Sequence, residues 1–253
     1  MAYQLSDQTL SDLKILKLPK HVAIIMDGNG RYAERLNKPR SFGHKAGALN
    51  LTNVCRIMDA MGISYLTVYA FSTENWQRPL SEVTQLFALV SQFFDQYIDE
   101  ICELGVRLRF IGEIGELPLS LQKTVKRATE LTHDNNKLQL IIALNYGARQ
   151  EIAKAACKFA LDCELQPDLL KLKAKDLEAK FASYLWTRDL PDPDLVIRTA
   201  GELRLSNFLL WQLAYAELYS TDCLWPEFGE NEILSAIVAY NQRTRKFGGL
   251  AKS

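Results

Sequence analysis

The chain carries no excess charge of either sign. Its 253 residues hold 30 basic and 30 acidic side chains, whereas a general nucleic-acid binder shows a basic excess. No nucleic-acid partner is expected. It also lacks any CxxC pair. Its cysteines, Cys55, Cys102, Cys157, Cys163 and Cys223, are odd in number and scattered. That argues against a zinc or disulfide framework and points to reduced thiols in the cytoplasm. No apolar run approaches the ~20 residues that a bilayer span needs. Residues 1–18 are polar and mixed, without the apolar core of a signal peptide. A GxxxxGK[ST] phosphate loop is absent. No linker, repeat or low-complexity stretch divides the chain. A single domain over residues 1–253 is therefore expected, with 1–18 as an N-terminal extension and 243–253 as a C-terminal tail.

What is present is the pattern of a globular α/β enzyme, 48% hydrophobic and 24% charged. Strand-like runs fall at residues 22–26, 65–71, 106–111, 138–144 and 195–197, with a weaker one at 216–219. Helix-like periodic runs separate them at 45–61, 81–104, 119–131, 149–161, 169–186 and 230–245. Alternation of this kind predicts a central, mostly parallel sheet of about six strands flanked by helices on both faces. In the run 81–104 the apolar residues spread wider than one stripe. Two readings stand: a helix buried between the sheet and another subunit, or one wall of an apolar tunnel for a long hydrocarbon.

Residues 21–31, HVAIIMDGNGR, are the most informative stretch. A strand buried on both faces ends near Asp27, where open α/β sheets place ligands. Gly28 and Gly30 let the backbone turn and approach a ligand closely, with Asn29 between them and Arg31 after. A carboxylate beside an anion cradle suits Mg²⁺ and phosphate together. Residues 28–33 also match GxGxxA, but a carboxylate next to the first glycine is ill placed for a dinucleotide pyrophosphate. The plainer alternative is that Asp27 caps a turn or helix.

Four further clusters add polar groups at predicted strand ends. Arg40 and His44 precede or begin a helix, where backbone N–H groups favour an anion. Ser72, Thr73, Glu74, Asn75, Trp76 and Arg78 follow the second strand. Arg198, Arg204 and Ser206 follow the fifth, and Glu217 interrupts an apolar run, either paired with a cation or exposed at a metal site. Each cluster alone also reads as an ordinary loop or solvated face. Together, Arg31, Arg40, Arg78, Arg198 and Arg204 concentrate positive charge at strand ends of a neutral chain. That concentration suggests substrates with more than one strongly anionic group.

These segments, in this order, resemble the cis-prenyltransferase family from about residue 21 to 249. The matching motifs are HVAIIMDGNGR at 21–31, GHKAG at 43–47, YAFSTENW at 69–76, DLVIRT at 194–199 and SNFLLW at 206–211. The DDxxD motif of the helical trans-prenyl synthases is absent. The resemblance implies an enzyme that extends farnesyl diphosphate with isopentenyl diphosphate, with undecaprenyl diphosphate, a lipid carrier for cell-wall polysaccharide, as product. It implies Mg²⁺, a homodimer, a product tunnel and transient contact with the inner membrane face. Alternatives within it are a different product length and a non-catalytic partner subunit; such partners lack the aspartate retained here as Asp27.

By motif position, Asp27 is implied as the metal-binding carboxylate that assists ionisation. Gly28, Asn29, Gly30, Arg31, Arg40 and His44 are implied as the allylic diphosphate cradle, with Tyr32 beside it. Ser72 and Asn75 are implied in proton removal, with Thr73, Glu74 and Arg78 in the same substrate-binding loop. Arg198, Arg204 and Ser206 are implied as the isopentenyl diphosphate clamp, Glu217 as a metal ligand near the dimer interface, and Phe71 and Trp76 as contacts to the allylic chain. Three positions depart from the family pattern. Tyr32 replaces a tryptophan, Ala200 replaces a glycine, and Lys246 replaces an arginine, keeping the charge but losing the two-pronged fork.

Overall fold

A computed structural model describes residues 3–243; Lys246 lies outside them. Six strands form one wholly parallel sheet: β1 (His21–Ile25), β2 (Tyr65–Ser72), β3 (Arg107–Ile111), β4 (Gln139–Tyr146), β5 (Leu195–Arg198) and β6 (Glu217–Ser220). Their order is β3-β4-β2-β1-β5-β6. The helices are α1 (Asp7–Leu13), α2 (Asn29–Arg35), α3 (Arg40–Met61), α4 (Leu80–Glu103), α5 (Leu119–Leu131), α6 (Ala148–Leu165), α7 (Ala174–Ala182) and α8 (Glu230–Gln242).

Every residue of β1 is buried, because both sheet faces are covered. Successive side chains point to opposite faces. Val22 and Ile24 therefore join the larger core with α3, α4, α5 and α8. Ala23 and Ile25 join a smaller one with Tyr146, Ala148 and Phe208. After β1 the chain turns toward β2, and after β5 toward β6. Neighbouring strands whose continuations diverge leave a crevice at their carboxyl ends. Ile25 and Arg198 are register partners at that crevice.

Three elements differ from the sequence expectation. The glycine turn after Asp27 is the start of a helix, α2, entered through Gly28 at φ 102°. The run 45–61 begins earlier, at Arg40, after Pro39. The run 169–186 is not one helix: a short 3-10 turn at Pro167–Lys171 gives way to extended backbone at Leu172 and Lys173 before α7 begins. Pro167, with no N–H to donate, separates this turn from the end of α6.

Candidate active site

At the crevice, Asp27 is held on several sides. Its backbone N–H donates to Thr199 Oγ1 at 2.8 Å, and the Thr199 hydroxyl lies 2.7 Å from the Asp27 carbonyl. Its Oδ1 accepts from the Gly28 N–H at 2.7 Å, and its Oδ2 accepts from Arg198 Nη2 at 2.8 Å. Arg198 is itself buried; its Nη1 donates to Ser206 Oγ at 2.8 Å and to the Arg204 carbonyl. β1 and β5 thus present a fixed carboxylate–guanidinium pair at adjacent ends. Arg31 approaches from α2, 3.9 Å from Asp27 and 3.6 Å from Glu202. Glu202 also pairs with Arg204.

The second group of cations gathers where α3 and α4 begin. Arg40 sits over Gly30: a methyl on that glycine would lie 3.1 Å from the guanidinium carbon. Glu82, in the first turn of α4, lies 3.1 Å from Arg78, 3.7 Å from His44 and 3.9 Å from Arg40. Sequence reasoning overlooked Glu82; its only signal is a carboxylate four residues after Arg78. Burial, and then the Arg78 charge, lower the pKa of His44.

The loop after β2 is a capping box, with the Ser72 N–H donating to Asn75 Oδ1 at 3.1 Å. Glu74 accepts from Asn207 at 2.9 Å, tying this loop to the one after β5. Burial pushes the Glu74 carboxyl up, but hydrogen bonds from Asn207, its own N–H, Ser72 and Thr73 bring it below its ordinary value. The Trp76 indole N–H donates to Asn145 Oδ1 at 2.8 Å, and its ring meets Phe71 and Phe87 edge-on.

One cleft of about 620 Å³ is lined by Asp27, Asn29, His44, Ser72, Glu74, Asn75, Arg78, Arg198, Arg204 and Ser206. Met26, Asn29, His44, Ala70 and Leu86 line both this cleft and a narrower apolar cavity of about 110 Å³. That cavity lies between the sheet (Ala70, Phe71, Ile142, Leu144), α3 (Ala48, Leu51) and the inward face of α4 (Leu86, Leu89, Val90, Phe93). The wide apolar spread of α4 is thereby explained within one chain. Ala70 and Phe71 both face it although they are consecutive, because the β2–β4 register shifts at this point. A bulge suspends the usual alternation of side chains.

Several buried polar atoms of the cleft lack hydrogen-bond partners: Asn29 Oδ1, His44 Nε2 and Arg198 Nε. Buried polar groups are ordinarily satisfied, so these three atoms are available to a ligand in the cleft. Mg²⁺ binds through one or two carboxylates plus substrate phosphates and water. Each Asp27 oxygen holds one hydrogen bond, which leaves capacity for a further ligand. Asp27 fits that donor set. No three His, Cys, Asp or Glu side chains among the described residues form a metal cluster.

Two expected residues stand apart. Tyr32, like Arg31, Arg40, Thr73 and Trp76, lines neither cavity, and its ring is turned away to stack on Phe42 at 6.3 Å. Glu217 pairs with Leu195, itself level with Val22, so it lies roughly 16 Å along the sheet from Asp27. Its carboxylate accepts from Arg243 at 3.0 Å. Within one chain it does not share a metal with Asp27. Ala200, where the family has glycine, adopts φ 70°, a conformation that costs a side chain roughly 1–2 kcal/mol.

Comparison with known proteins agrees with this architecture. Residues 25–248 match the family model described as putative undecaprenyl diphosphate synthase. An isoprenyl transferase of Heliobacterium mobile is 47% identical over 92% of this chain and 89% of its own length. One from Streptococcus mutans is 48% identical over 94% and 96%. Lavandulyl diphosphate synthase of Lavandula x intermedia, solved with dimethylallyl diphosphate, superposes with a TM-score of 0.85 at 36% identity, covering 91% of this chain and 98% of that one. A probable undecaprenyl diphosphate synthase of Campylobacter jejuni gives 0.74 at 32% identity, covering 92% and 100%. A parallel sheet whose central crevice joins a cationic cleft to an apolar cavity, matched along nearly its whole length by isoprenyl transferases, belongs to the cis-prenyltransferase family.

Proposed function

We propose that this prenyltransferase extends farnesyl diphosphate by repeated addition of isopentenyl diphosphate, to give undecaprenyl diphosphate for cell-wall polysaccharide synthesis. The observation that carries the reading is the junction of the cleft holding Asp27 and Arg198 with the apolar cavity beneath it. A diphosphate head has its place among Arg31, Arg40, His44 and the first turn of α2, and its tail has its place past Ala70. Arg198, Arg204 and Ser206 face the same space and suit a second diphosphate.

Cleavage of the allylic carbon–oxygen bond leaves negative charge on the departing diphosphate. Fixed guanidinium groups and helix N–H groups stabilise that charge without reorganising. Mg²⁺, held by Asp27, would supply further stabilisation of the diphosphate oxygens. Holding the isopentenyl alkene at the Arg198 side makes its attack a positioned event rather than a collision. Ser72 and Asn75, on the cleft wall, take part in removing the proton that restores the double bond. Each methylene moved into the apolar cavity contributes roughly 0.8 kcal/mol, so chain growth is favourable while the cavity can accommodate it.

A different product length is the second reading. The likeness to a lavandulyl diphosphate synthase bound to a five-carbon allylic diphosphate supports it, since this fold serves short as well as long prenyl substrates. A homodimer across β6 is part of the proposal: this edge strand leaves Leu218 and nearby Leu203 and Tyr215 exposed, and unpaired edges seek cover. No helix among the described residues is long and apolar enough to cross a membrane. The proposed enzyme works in the cytoplasm and delivers its product at the inner membrane face.

The test is to incubate purified protein with farnesyl diphosphate, labelled isopentenyl diphosphate and Mg²⁺, and to size the product. A fifty-five-carbon cis chain is expected, and Asp27→Ala should abolish it with the fold intact. Absence of polymer, an all-trans polymer, or full activity of the alanine variant would overturn the reading.

A further inference from the structure

The turn after Arg204 holds backbone conformations that side chains ordinarily avoid. Ser206, Asn207 and Leu209 have φ of 50°, 62° and 46°. Asparagine visits this left-handed region readily, but a bulky leucine does not. Strain of this kind persists only where surrounding contacts over-determine it, and it gathers at functional sites. The contacts responsible here converge on Asn207.

Its carbonyl accepts from the Ala148 N–H at 2.8 Å, and its Oδ1 accepts from the Arg149 N–H at 2.9 Å. Both donors belong to the first turn of α6, after β4. With Oδ1 facing an N–H, the amide nitrogen faces the other way, and it donates to Glu74 Oε1 at 2.9 Å. Both polar ends of the side chain are thus engaged by protein. Gly147 closes the joint: a Cβ there would stand 2.6 Å from Thr73 Oγ1 and 2.8 Å from Asn207 Nδ2. Behind the turn, Phe208 stacks on Tyr69 at 4.5 Å. Further along, the buried Glu151 accepts from the Tyr146 hydroxyl at 2.6 Å and from the Gln212 amide at 3.1 Å. The loops after β2, β4 and β5 therefore meet at one residue.

We propose that Asn207 is a positioning residue that sets the spacing between the loop of Ser72 and Asn75 and the turn of Arg204 and Ser206. The inference rests on the reading above that this cleft takes isopentenyl diphosphate. Asn207 follows Ser206 directly, and its partner Glu74 precedes Asn75, whose Oδ1 accepts from the Ser72 N–H. One side-chain hydrogen bond thus joins the group that holds the diphosphate to the groups that take part in removing the proton. Diphosphate and proton belong to the same small molecule, so a displacement of about 1 Å between the two loops costs rate rather than fold.

Asn207→Asp tests this in steady-state kinetics with farnesyl and isopentenyl diphosphates. It keeps the left-handed backbone and the acceptor for the Arg149 N–H, and removes only the donor to Glu74. At pH 8 its kcat should fall about tenfold, with KM for farnesyl diphosphate within about twofold of the parent. Adding Glu74→Gln restores a donor across the same gap and should bring kcat back to within about threefold. Lowering the pH toward 6 lets the two facing carboxyls share a proton, so the deficit relative to the parent at the same pH should shrink; that of Asn207→Ala should stay constant. Tyr69, whose pKa burial and then the Glu74 charge raise, stays neutral throughout, and Arg78, Arg149 and Arg204 stay charged. His44, in the same cleft, is common to both proteins and cancels in the ratio. Gly147→Ala has extended backbone, at φ −151°, and lines neither cavity. It wedges Thr73 from Asn207, should lower kcat at every pH, and carries the test if Asn207→Asp unfolds. A parent that forms no prenyl product overturns the functional reading and this inference with it. A parent that condenses the two diphosphates, while Asn207→Asp and Gly147→Ala retain its kcat, overturns this inference alone. So does a deficit in Asn207→Asp that neither Glu74→Gln nor acid relieves.

Discussion

Gly43→Ala separates a local from a tertiary account of α3. Glycine in a helix is roughly 1 kcal/mol worse than alanine, so on helix propensity alone the substitution stabilises. The structure reverses the sign. A Cβ on Gly43 would stand 1.9 Å from the Asn29 carbonyl oxygen and 2.8 Å from its carbon, both backbone atoms of α2. Ordinary contact begins at 3.4 Å, so α2 and α3 would have to separate by about 1.5 Å at their closest point. Overpacking of this kind costs about 1–3 kcal/mol, a fall in Tm of roughly 2–12 °C for a domain of this size. The same displacement moves Arg40 and His44 away from Gly30 and Arg31. A misplacement of about 1 Å can cost a hundredfold in rate, so kcat/KM for the allylic diphosphate should fall by about that factor. Gly115→Ala is the control, since its Cβ would meet nothing nearer than 3.9 Å. Thermal unfolding and steady-state kinetics on both variants decide the matter. An unchanged or raised Tm for Gly43→Ala, with unchanged kcat/KM, refutes the reasoning.

Two other perturbations follow from the contacts. Arg198→Lys keeps a cation near Asp27 but cannot also reach Ser206 and the Arg204 carbonyl. Loss of one charge-assisted hydrogen bond costs about 1.5–3 kcal/mol, so kcat/KM for isopentenyl diphosphate should drop at least tenfold; parental kinetics would show that the fork is dispensable. His21 is held neutral between the Pro191 carbonyl and the Thr67 hydroxyl, at 2.6 and 2.7 Å, and burial lowers its pKa to about 4. The unfolded chain takes up this proton near pH 6.5, so stability is full above that value and declines as pH falls toward 4, by about 3 kcal/mol. His21→Gln should flatten the dependence of Tm on pH between 7 and 5, and parallel curves for the two proteins would contradict the assignment.

Residues near in sequence explained what could be read early. The apolar run before Asp27, buried on both faces, announced a central parallel strand and a ligand at its end, because strand burial leaves a direct mark on composition. The glycine turn was misread, since Gly28 at positive φ can open a helix as well as a loop. The broken run after residue 166 was misread too, because periodicity continued across a proline-led 3-10 turn and an extended pair of residues. Ala70 and Phe71 on one wall were illegible, since the bulge exists only against β4.

The sequence by itself determined the α/β class, the parallel sheet and the identity of the charged groups, because these rest on periodicity and on residue type. Only the tertiary structure decided which of those groups meet. It joined Asp27 to Arg198 across 171 residues of chain and gathered Arg40, His44 and Arg78 around Glu82. It left Glu217 at the other end of the sheet, bonded to Arg243. Such pairings depend on strand order and register, which no local pattern encodes, and the same ordering opens the cleft at one end of the sheet.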